Sequence, residues 1–275
     1  MPVLNHVPNH AIKSVIKITM LFIILALPHL AYAQDKGESK QMRVLFIGNS
    51  YTSVNNLPGM VQALAKAAKE KRALEYVAVT PGGWTLQQHL LDPKTQAPTK
   101  IAQGNWDFVV IQEQSQLPFM YPKVTLEHGT TLGELIKESK AMPLLYMTWA
   151  REHQPEHQET IAKTYTDLAK ALSAPIAPVG LAWEAARKEK PALKLYAADK
   201  SHPSPAGTYL AACVFYSTIY DKSPVGLAAT LTTINGGKSR TLVALSAEDA
   251  KYFQTIAWKT VQAQKEKAPE PKKAE

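Results

Sequence analysis

The stretch MRVLFIGNSYT, residues 42–52, decides the fold of this chain. Its apolar run from Val44 to Ile47 predicts a short buried strand, and Gly48-Asn49-Ser50 ends that strand at once. A helical pattern follows the Pro58-Gly59 pair. Ser50 is therefore expected in a sharp strand-to-helix turn, at the carboxyl end of the first strand of an α/β sheet. Ligands of such sheets bind at the carboxyl ends of the strands, so Ser50 is a candidate site residue.

Five predicted strands alternate with helices, which is the pattern of a parallel, doubly wound sheet. The strands are expected at about residues 42–47, 75–79, 108–111, 144–148 and 175–179. The helices are expected at about 57–71, 85–91, 126–140, 159–172, 181–188, 206–220 and 247–262, with a loop-rich segment over 221–245. The sequence thus predicts a flavodoxin-like, three-layer α/β/α sandwich with a five-stranded parallel sheet.

The first 33 residues have the pattern of a secretory signal peptide. Lys13 and Lys17 precede an apolar run from Ile18 to Leu30, and Ala31-Tyr32-Ala33 matches the small-x-small cleavage pattern. The run is about a dozen residues long, shorter than the ~20 that span a bilayer, and Pro28 interrupts it. Cleavage after Ala33 is therefore favoured over an uncleaved anchor. We expect a periplasmic or secreted protein with no stable membrane span after cleavage.

The rest of the chain is expected to form one α/β domain over residues 42–263, followed by a disordered charged tail over residues 264–275. Loss of the first 33 residues, which contain two Lys and no acid, lowers the formal charge from +8 to +6. The chain has no dense Arg/Lys patch interleaved with aromatic residues, and we expect no nucleic-acid partner. The single cysteine, Cys213, is expected in the core. His153 and His157 are expected in a solvated loop or a helix start, not in a metal site.

Five polar or glycine-rich clusters of the sequence each come directly after a predicted strand or a short apolar segment. These clusters are Gly48–Ser50, Gly82–Trp84, Gln112–Gln116, Trp149–Arg151 and Asp199–His202. Because the carboxyl ends of parallel strands share one edge, we expect the clusters to converge there. Their convergence predicts a functional site. No single cluster predicts it alone.

Three of these residues have the types that acyl transfer by a serine requires: a nucleophile, a base and a group that orients the base. Ser50 is the candidate nucleophile and His202 the candidate base. Asp199, three residues before His202, can orient the imidazole through Nδ1. By spacing alone, Ser50 could equally be a helix N-cap or turn serine, and Asp199 and His202 a turn pair ahead of a helix.

Donors for an oxyanion are also available at the predicted edge. The backbone N–H of Ser50 is one candidate, and the backbone N–H of Gly82 or Gly83 is a second. The side-chain amide of Gln112 or Gln114 is a third. Glu113 lies between these two glutamines and is assigned no role.

Four segments resemble the sequence blocks of the SGNH (GDSL-type) esterases. GNSYT, residues 48–52, is similar to the first block, with Asn where many members have Asp. DKSHPSPAGTYLAA, residues 199–212, resembles the last block, which is Asp-x-x-His-Pro followed by a glycine and a helix. Gly82-Gly83 stands where the second-block glycine is expected. WDFVVIQEQS, residues 106–115, occupies the third block but has glutamines in place of Gly-x-Asn-Asp.

The resemblance covers roughly residues 42–220 and is to an exported bacterial subgroup with a Gln-rich third block. The catalytic roles that it implies are Ser50 as nucleophile, His202 as base and Asp199 as its partner. It implies Gly83 for the oxyanion hole, with Gly82 equally placed. For the amide donor we favour Gln112, which is nearest the strand end, and hold Gln114 as second. The implied mechanism needs no metal or organic cofactor.

We therefore expect an exported serine esterase that acts on a small-molecule or polysaccharide ester, with a short acyl group on a carbohydrate as the expected substrate. Trp84 and Trp149 each follow a strand end and could form walls of a sugar-binding cleft or simply pack at its rim. One alternative is a non-catalytic carbohydrate-binding protein on the same fold, with the altered third block as a sign of lost activity. Another is a flavodoxin-like module that binds a phosphate at Gly48–Ser50. It ranks last, because that turn lacks the glycines and the Lys of a phosphate loop.

Overall fold

A five-stranded parallel sheet forms the centre of the computed structural model, which describes residues 41–267. The strands are β1 (Gln41–Ile47), β2 (Ala73–Val79), β3 (Phe108–Ile111), β4 (Met142–Tyr146) and β5 (Ile176–Ala177). They lie in the order β2-β1-β3-β4-β5, and every neighbouring pair is parallel. The predicted α/β fold with a five-stranded parallel sheet is confirmed.

Strand β1 lies between β2 and β3 and brings their carboxyl ends level. Its last residue, Ile47, pairs with Val79 at the end of β2 and with Ile111 at the end of β3. The segments that follow these three strands therefore begin side by side at one edge of the sheet. This register is what brings the first three predicted clusters together.

Helices cover both faces of the sheet. They are α1 (Ser50–Ser53), α2 (Leu57–Ala67), α3 (Leu86–Leu91), α4 (Ala97–Gln103), α5 (Leu117–Met120), α6 (Pro122–Glu138), α7 (His157–Leu172), α8 (Val179–Glu189), α9 (Pro205–Tyr220) and α10 (Ala247–Lys267). A 3-10 turn, Val54–Asn56, joins α1 to α2.

Alternating side chains of β1 divide the core into two layers, because successive residues of a strand point to opposite faces. Val44 and Phe46 belong to a buried cluster shared with α2, α8, α9 and α10. Leu45 and Ile47 belong to a second cluster shared with α3, α4, α6 and α7. The chain thus forms three layers, with the sheet in the middle.

Several boundaries differ from the predicted ones. The segment expected to be loop-rich contains an antiparallel hairpin, β6 (Thr230–Asn235) and β7 (Lys238–Ala244). Its turn is Gly236-Gly237, with φ of 56° and 76°, which is the backbone that a two-residue hairpin turn requires. Helices α4 and α5 were not predicted. Helix α10 continues to Lys267 and so includes the first four residues of the predicted tail.

The predicted signal peptide, residues 1–33, and the rest of the predicted tail lie outside the described residues. Between residues 41 and 267, no helix has the length and apolar character needed to cross a membrane.

Candidate active site

Ser50 begins α1 immediately after β1, in the predicted strand-to-helix turn. Asn49 is the N-cap of this helix, with an extended backbone, and its Oδ1 accepts a hydrogen bond from Tyr51 N (3.1 Å). Gly48 must be a glycine, because a Cβ at this position would lie 2.5 Å from Gln112 Oε1 and 2.9 Å from Thr52 Oγ1. The tight turn therefore fixes Ser50 at the carboxyl edge of the sheet.

His202 lies within hydrogen-bonding distance of Ser50. The distance from His202 Nε2 to Ser50 Oγ is 2.8 Å. On the other side of the ring, His202 Nδ1 contacts Asp199 Oδ2. A hydrogen on Nδ1 donated to the carboxylate leaves Nε2 free to accept the proton of the serine hydroxyl. The structure thus brings Ser50, His202 and Asp199 into one line.

Asp199 also shapes the loop that carries His202. Its Oδ1 accepts hydrogen bonds from Ser201 N (3.0 Å) and from His202 N (2.9 Å). These contacts, and above all the one with the His202 ring, lower the pKa of the Asp199 carboxyl to about 2. The group is therefore a carboxylate throughout the pH range in which esterases are assayed, as a partner for an imidazolium requires.

Backbone bonds close the same loop. Ala197 N donates to the carbonyl of His202 (2.8 Å), and Lys200 N donates to the carbonyl of Ala197 (3.0 Å). Lys200 has a φ of 60°, so the chain makes a left-handed turn between the acid and the histidine. This turn lets two residues only three positions apart present their side chains to each other.

Gln112, predicted as an oxyanion donor, is instead part of the support beneath Ser50. Its side chain is fully buried, and its Oε1 accepts from Asn49 N (3.0 Å) and from Thr52 Oγ1 (2.9 Å). Both hydrogens of its Nε2 are directed to protein acceptors, Asn49 Oδ1 (3.0 Å) and the Glu113 carbonyl. No N–H of Gln112 remains for a substrate, so the prediction for this residue is wrong.

Gln114, the second candidate, has an amide that is still available. Its Oε1 accepts from Gln116 N (2.7 Å), and its side chain is only partly buried. Within residues 41–267, its Nε2 has no acceptor. Gln114 therefore replaces Gln112 as the candidate amide donor.

The Gly82-Gly83 turn lies beside the Ser50 turn, as the register of β1 and β2 requires. Asn49 Nδ2 donates to the carbonyl of Trp84 (2.9 Å), which ties the two turns together. Gly83 has a φ of 73°, which a residue with a side chain rarely adopts, and it faces open space. The Gly83 amide therefore remains the candidate oxyanion donor of this turn, and Gly82 is similarly open.

Two buried ionisable residues of the site were not found from the sequence. Glu113 Oε1 accepts from Leu86 N (3.0 Å) and Gln114 N (2.6 Å), and burial raises the pKa of this carboxyl. Glu113 thus joins the start of α3 to the end of β3. His89, on α3, contacts the Gly48 carbonyl through Nε2 (2.8 Å), and burial lowers the pKa of its imidazole. Glu113 could have been suspected from its position directly after a predicted strand. Nothing in the sequence around His89 distinguishes that histidine.

Trp149 does not form an open wall of the cleft. Only 1% of it is exposed, and its ring is stacked between Tyr51 (4.7 Å between ring centroids) and Trp183 (3.9 Å). Neither of its faces can stack on a sugar. Trp84 is partly exposed and remains available at the edge of the cleft.

Cys213 and the two histidines of the His-x-x-x-His pattern lie where the sequence predicted. Cys213 is fully buried in α9, and burial raises the pKa of its thiol, so it is not a nucleophile. His157 begins α7 and stacks on Phe119, with ring centroids 4.0 Å apart. His153 lies in the exposed loop before that helix.

A serine, a histidine and a carboxylate in line at the carboxyl edge of a parallel sheet define an α/β protein of the serine hydrolase type. A solved structure from Slackia heliotrinireducens, assigned to the SGNH hydrolases, is 32% identical to this chain, with a TM-score of 0.56. The match covers 65% of this chain and 99% of that one. The chain belongs to the SGNH hydrolase family, as its sequence blocks predicted.

Two more distant structures share the fold. A DUF4886 family protein from Bacteroides uniformis is 17% identical, with a TM-score of 0.63, and the match covers 86% of this chain and 100% of that one. An acetyl xylan esterase is 16% identical, with a TM-score of 0.52, and the match covers 64% and 96% of the two chains. No protein-family model matches the chain. No curated protein is significantly similar to it.

Proposed function

We propose that this protein is an exported serine esterase that removes a short acyl group from a carbohydrate by a Ser-His-Asp mechanism. The observation that carries the proposal is the 2.8 Å contact between His202 Nε2 and Ser50 Oγ, with Asp199 on the opposite side of the ring. A helix N-cap or turn serine, the plain alternative for Ser50, has no need of a histidine in this position. The N-cap is in fact Asn49.

In the proposed reaction, Ser50 Oγ attacks the ester carbonyl carbon while His202 Nε2 takes the hydroxyl proton. The tetrahedral intermediate collapses when the C–O bond to the alcohol breaks, and His202 returns the proton to the departing alkoxide. Water then attacks the acyl-enzyme with His202 as base, and the second intermediate releases the carboxylic acid and restores Ser50. Asp199 stabilises the imidazolium in both steps.

The oxyanion of each intermediate is assigned to three donors. The Ser50 amide is at the start of α1 and has no acceptor within residues 41–267. The Gly83 amide lies in the neighbouring turn, which Asn49 ties to Ser50 through the Trp84 carbonyl. The Nε2 of Gln114 is the third donor. Gln114 belongs to the third sequence block, in which the common family pattern has an Asn. Removal of one such donor lowers the rate by ~10²–10³.

The exposure of the site supports a large substrate. The side chain of Asp199 is 49% exposed and that of His202 is 34% exposed, so the reacting groups lie at the surface and a polymer can reach them. Trp84, beside the proposed oxyanion turn, offers an aromatic surface of the kind on which sugars stack. The signal-peptide pattern of residues 1–33 supports export, where polysaccharides are encountered.

A direct assay tests the proposal. Residues 34–275 are assayed on an aryl acetate and on acetylated xylan, beside Ser50→Ala and His202→Ala. We expect turnover of both substrates and a loss of at least ~10³ in kcat for either variant. Ser53→Ala is the matched control, because Ser53 lies on the same short helix but is exposed and outside the triad, and we expect it to retain the parent rate.

Two outcomes would contradict the proposal. Turnover of no ester above the Ser50→Ala background would refute the esterase, and binding of xylan without turnover would then favour the non-catalytic alternative. Turnover of aryl acetate alone would refute the carbohydrate substrate but leave the mechanism intact. Export is tested separately by mass spectrometry of the protein recovered from a bacterial periplasm. A chain that begins at Gln34 is the expected result, and a retained Met1 would contradict it.

A further inference from the structure

Tyr51, the residue after the proposed nucleophile, contacts the loop that carries Asp199 and His202. Its hydroxyl lies 2.7 Å from Ser201 Oγ, across 150 positions of sequence. Only 3% of Tyr51 is exposed. The tyrosine therefore connects the strand-to-helix turn directly to Ser201, one of the two residues between the acid and the histidine.

Ser201 is held at each of its polar groups. Its N–H donates to Asp199 Oδ1 (3.0 Å), and its carbonyl accepts from Trp149 Nε1 (3.0 Å). Its hydroxyl bonds to Tyr51. Of these three contacts, the one with Trp149 fixes the loop to the segment that follows β4, and the one with Tyr51 fixes it to the Ser50 turn. The first is internal to the loop.

The ring of Tyr51 also restricts the ring of His202. Tyr51 stacks on Trp149, with an interplanar angle of 7°, and meets His202 edge-on, with centroids 5.4 Å apart and an interplanar angle of 68°. Trp149 in turn stacks on Trp183 at 3.9 Å. One buried aromatic stack therefore supports one side of the imidazole of His202, whose side chain is 34% exposed.

This support is needed because the loop is otherwise exposed. Asp199 and Lys200 face solvent, and surface loops are the most mobile parts of a fold. A displacement of 1 Å between a base and its nucleophile can lower a rate by up to ~10². A contact that ties the two together thus has a direct effect on catalysis.

We propose that Tyr51 is a positioning residue, which holds His202 Nε2 at hydrogen-bonding distance from Ser50 Oγ by bonding to Ser201 and packing against the imidazole. The inference rests on the proposed esterase mechanism. Burial raises the pKa of the Tyr51 phenol, so the hydroxyl keeps its proton and can donate it to Ser201.

A double-mutant cycle tests the proposal. Tyr51→Phe removes the hydroxyl but keeps the ring, and Ser201→Ala removes the opposite partner and leaves both backbone contacts of Ser201 in place. We expect each variant to lower kcat on aryl acetate about tenfold, with KM within about twofold. We expect the double variant to lose no more than the worse single one.

Tyr209→Phe is the control for general destabilisation. Tyr209 is buried on α9, and its hydroxyl donates to the Ala228 carbonyl (2.9 Å) and accepts from Gln254 Nε2 (2.7 Å), neither of which belongs to the catalytic loop. We expect it to lower the unfolding temperature but not kcat. Losses of kcat that multiply in the double variant, or a kcat within twofold of the parent in Ser201→Ala, would overturn the proposal.

Hydrogen exchange of the amides of residues 199–202 gives a readout that does not depend on turnover. The positioning role predicts faster exchange in Tyr51→Phe and in Ser201→Ala, and unchanged exchange in Tyr209→Phe. Unchanged exchange in the first two variants would overturn it. If the parent protein hydrolyses no ester, the proposed function fails, and the exchange measurement alone still decides whether Tyr51 restrains the loop.

Discussion

Gln112 and Asn49 exchange two hydrogen bonds, each 3.0 Å long. Asn49 N donates to Gln112 Oε1, and Gln112 Nε2 donates to Asn49 Oδ1. Both residues are buried. The third sequence block, which departs from the common family pattern, is therefore joined to the first block by a reciprocal pair directly beneath Ser50. Gln112 supports the Ser50 turn, whereas Gln114 is the candidate oxyanion donor. Mutation of each glutamine can separate these two roles.

Gln112→Ala is expected to affect stability. It leaves the buried Asn49 N–H and the Thr52 hydroxyl without their acceptor, and it opens a cavity below the turn. Loss of such a buried network lowers the free energy of unfolding by about 2–4 kcal/mol. Urea unfolding followed by circular dichroism measures the change.

Gln114→Ala is the matched comparison. Its side chain is partly exposed, so the free energy of unfolding is expected to change by no more than about 0.5 kcal/mol. As an oxyanion donor it should lower kcat by ~10²–10³. If kcat is unchanged in Gln114→Ala, the third oxyanion donor has been assigned to the wrong residue.

The elements that the sequence predicted best are those that a local pattern specifies. Strand β3 was predicted at its observed bounds, because four apolar residues between polar flanks allow one interpretation. Helix α2 was predicted four residues too long, since residues 68–71 are all good helix formers while the backbone turns left-handed at Lys69, with a φ of 54°. The Gly236-Gly237 hairpin turn was a recognisable signal that the prediction overlooked.

The site was only partly predictable, for a different reason. Residue types and family blocks indicated that Ser50, His202 and Asp199 would meet, and the structure brings them together. The direction of a side chain after the end of a strand does not follow from sequence. Gln112 was therefore expected in the cleft, whereas its side chain lies beneath the Ser50 turn. The contact between His89 and Gly48 depends on how α3 docks against the sheet. Such contacts are tertiary, and no local pattern encodes them.

Glu113→Gln is expected to change the pH dependence of stability. Burial raises the pKa of Glu113 above its ordinary value of 4.5, so the folded chain binds this proton more tightly than the unfolded chain. The corresponding stability is fully present below pH 4.5 and is lost as the pH rises through the raised pKa. Glutamine cannot ionise, and its Oε1 can still accept from Leu86 N and Gln114 N.

The free energy of unfolding of the parent, minus that of Glu113→Gln, should therefore fall as the pH rises from 4.5. Urea titrations over a pH series measure this difference. A difference that stays constant over that range would show that Glu113 does not titrate abnormally in the fold.

His89→Gln is expected to show the opposite slope. Burial lowers the pKa of His89 below its ordinary value of 6.5, so the unfolded chain binds this proton more tightly than the folded chain. The stability of the parent then falls as the pH drops below 6.5, until the lowered pKa is reached. Glutamine can donate to the Gly48 carbonyl without titrating. The variant therefore does not lose the free energy of unfolding that the parent loses through His89 at low pH.

The parent-minus-variant difference should thus rise with pH for His89→Gln where it falls for Glu113→Gln. The same urea titrations give both slopes, and each variant serves as the control for the other. Slopes of the same sign would be incompatible with opposite pKa shifts for the two residues.

Gly207→Ala tests how the catalytic loop is fixed to α9. A Cβ at this position would lie 2.2 Å from the Leu195 carbonyl oxygen and 2.6 Å from Trp183 Cζ2. That same oxygen accepts the bond from Ser204 N (2.8 Å) that closes the loop containing His202. Because a backbone atom cannot move aside as a side chain can, we expect Gly207→Ala to lower the free energy of unfolding by about 1–3 kcal/mol or more.

Gly82→Ala is the control for this substitution, since its Cβ would meet nothing within 4 Å. Thermal unfolding should leave this variant within about 0.5 kcal/mol of the parent. Because the clash in Gly207→Ala also moves the segment that carries His202, kcat should fall in the fraction that remains folded. An equally stable Gly207→Ala would mean that α9 can shift away from Leu195 without strain. The glycine that follows the Asp-x-x-His-Pro block would then be dispensable for holding the histidine in place.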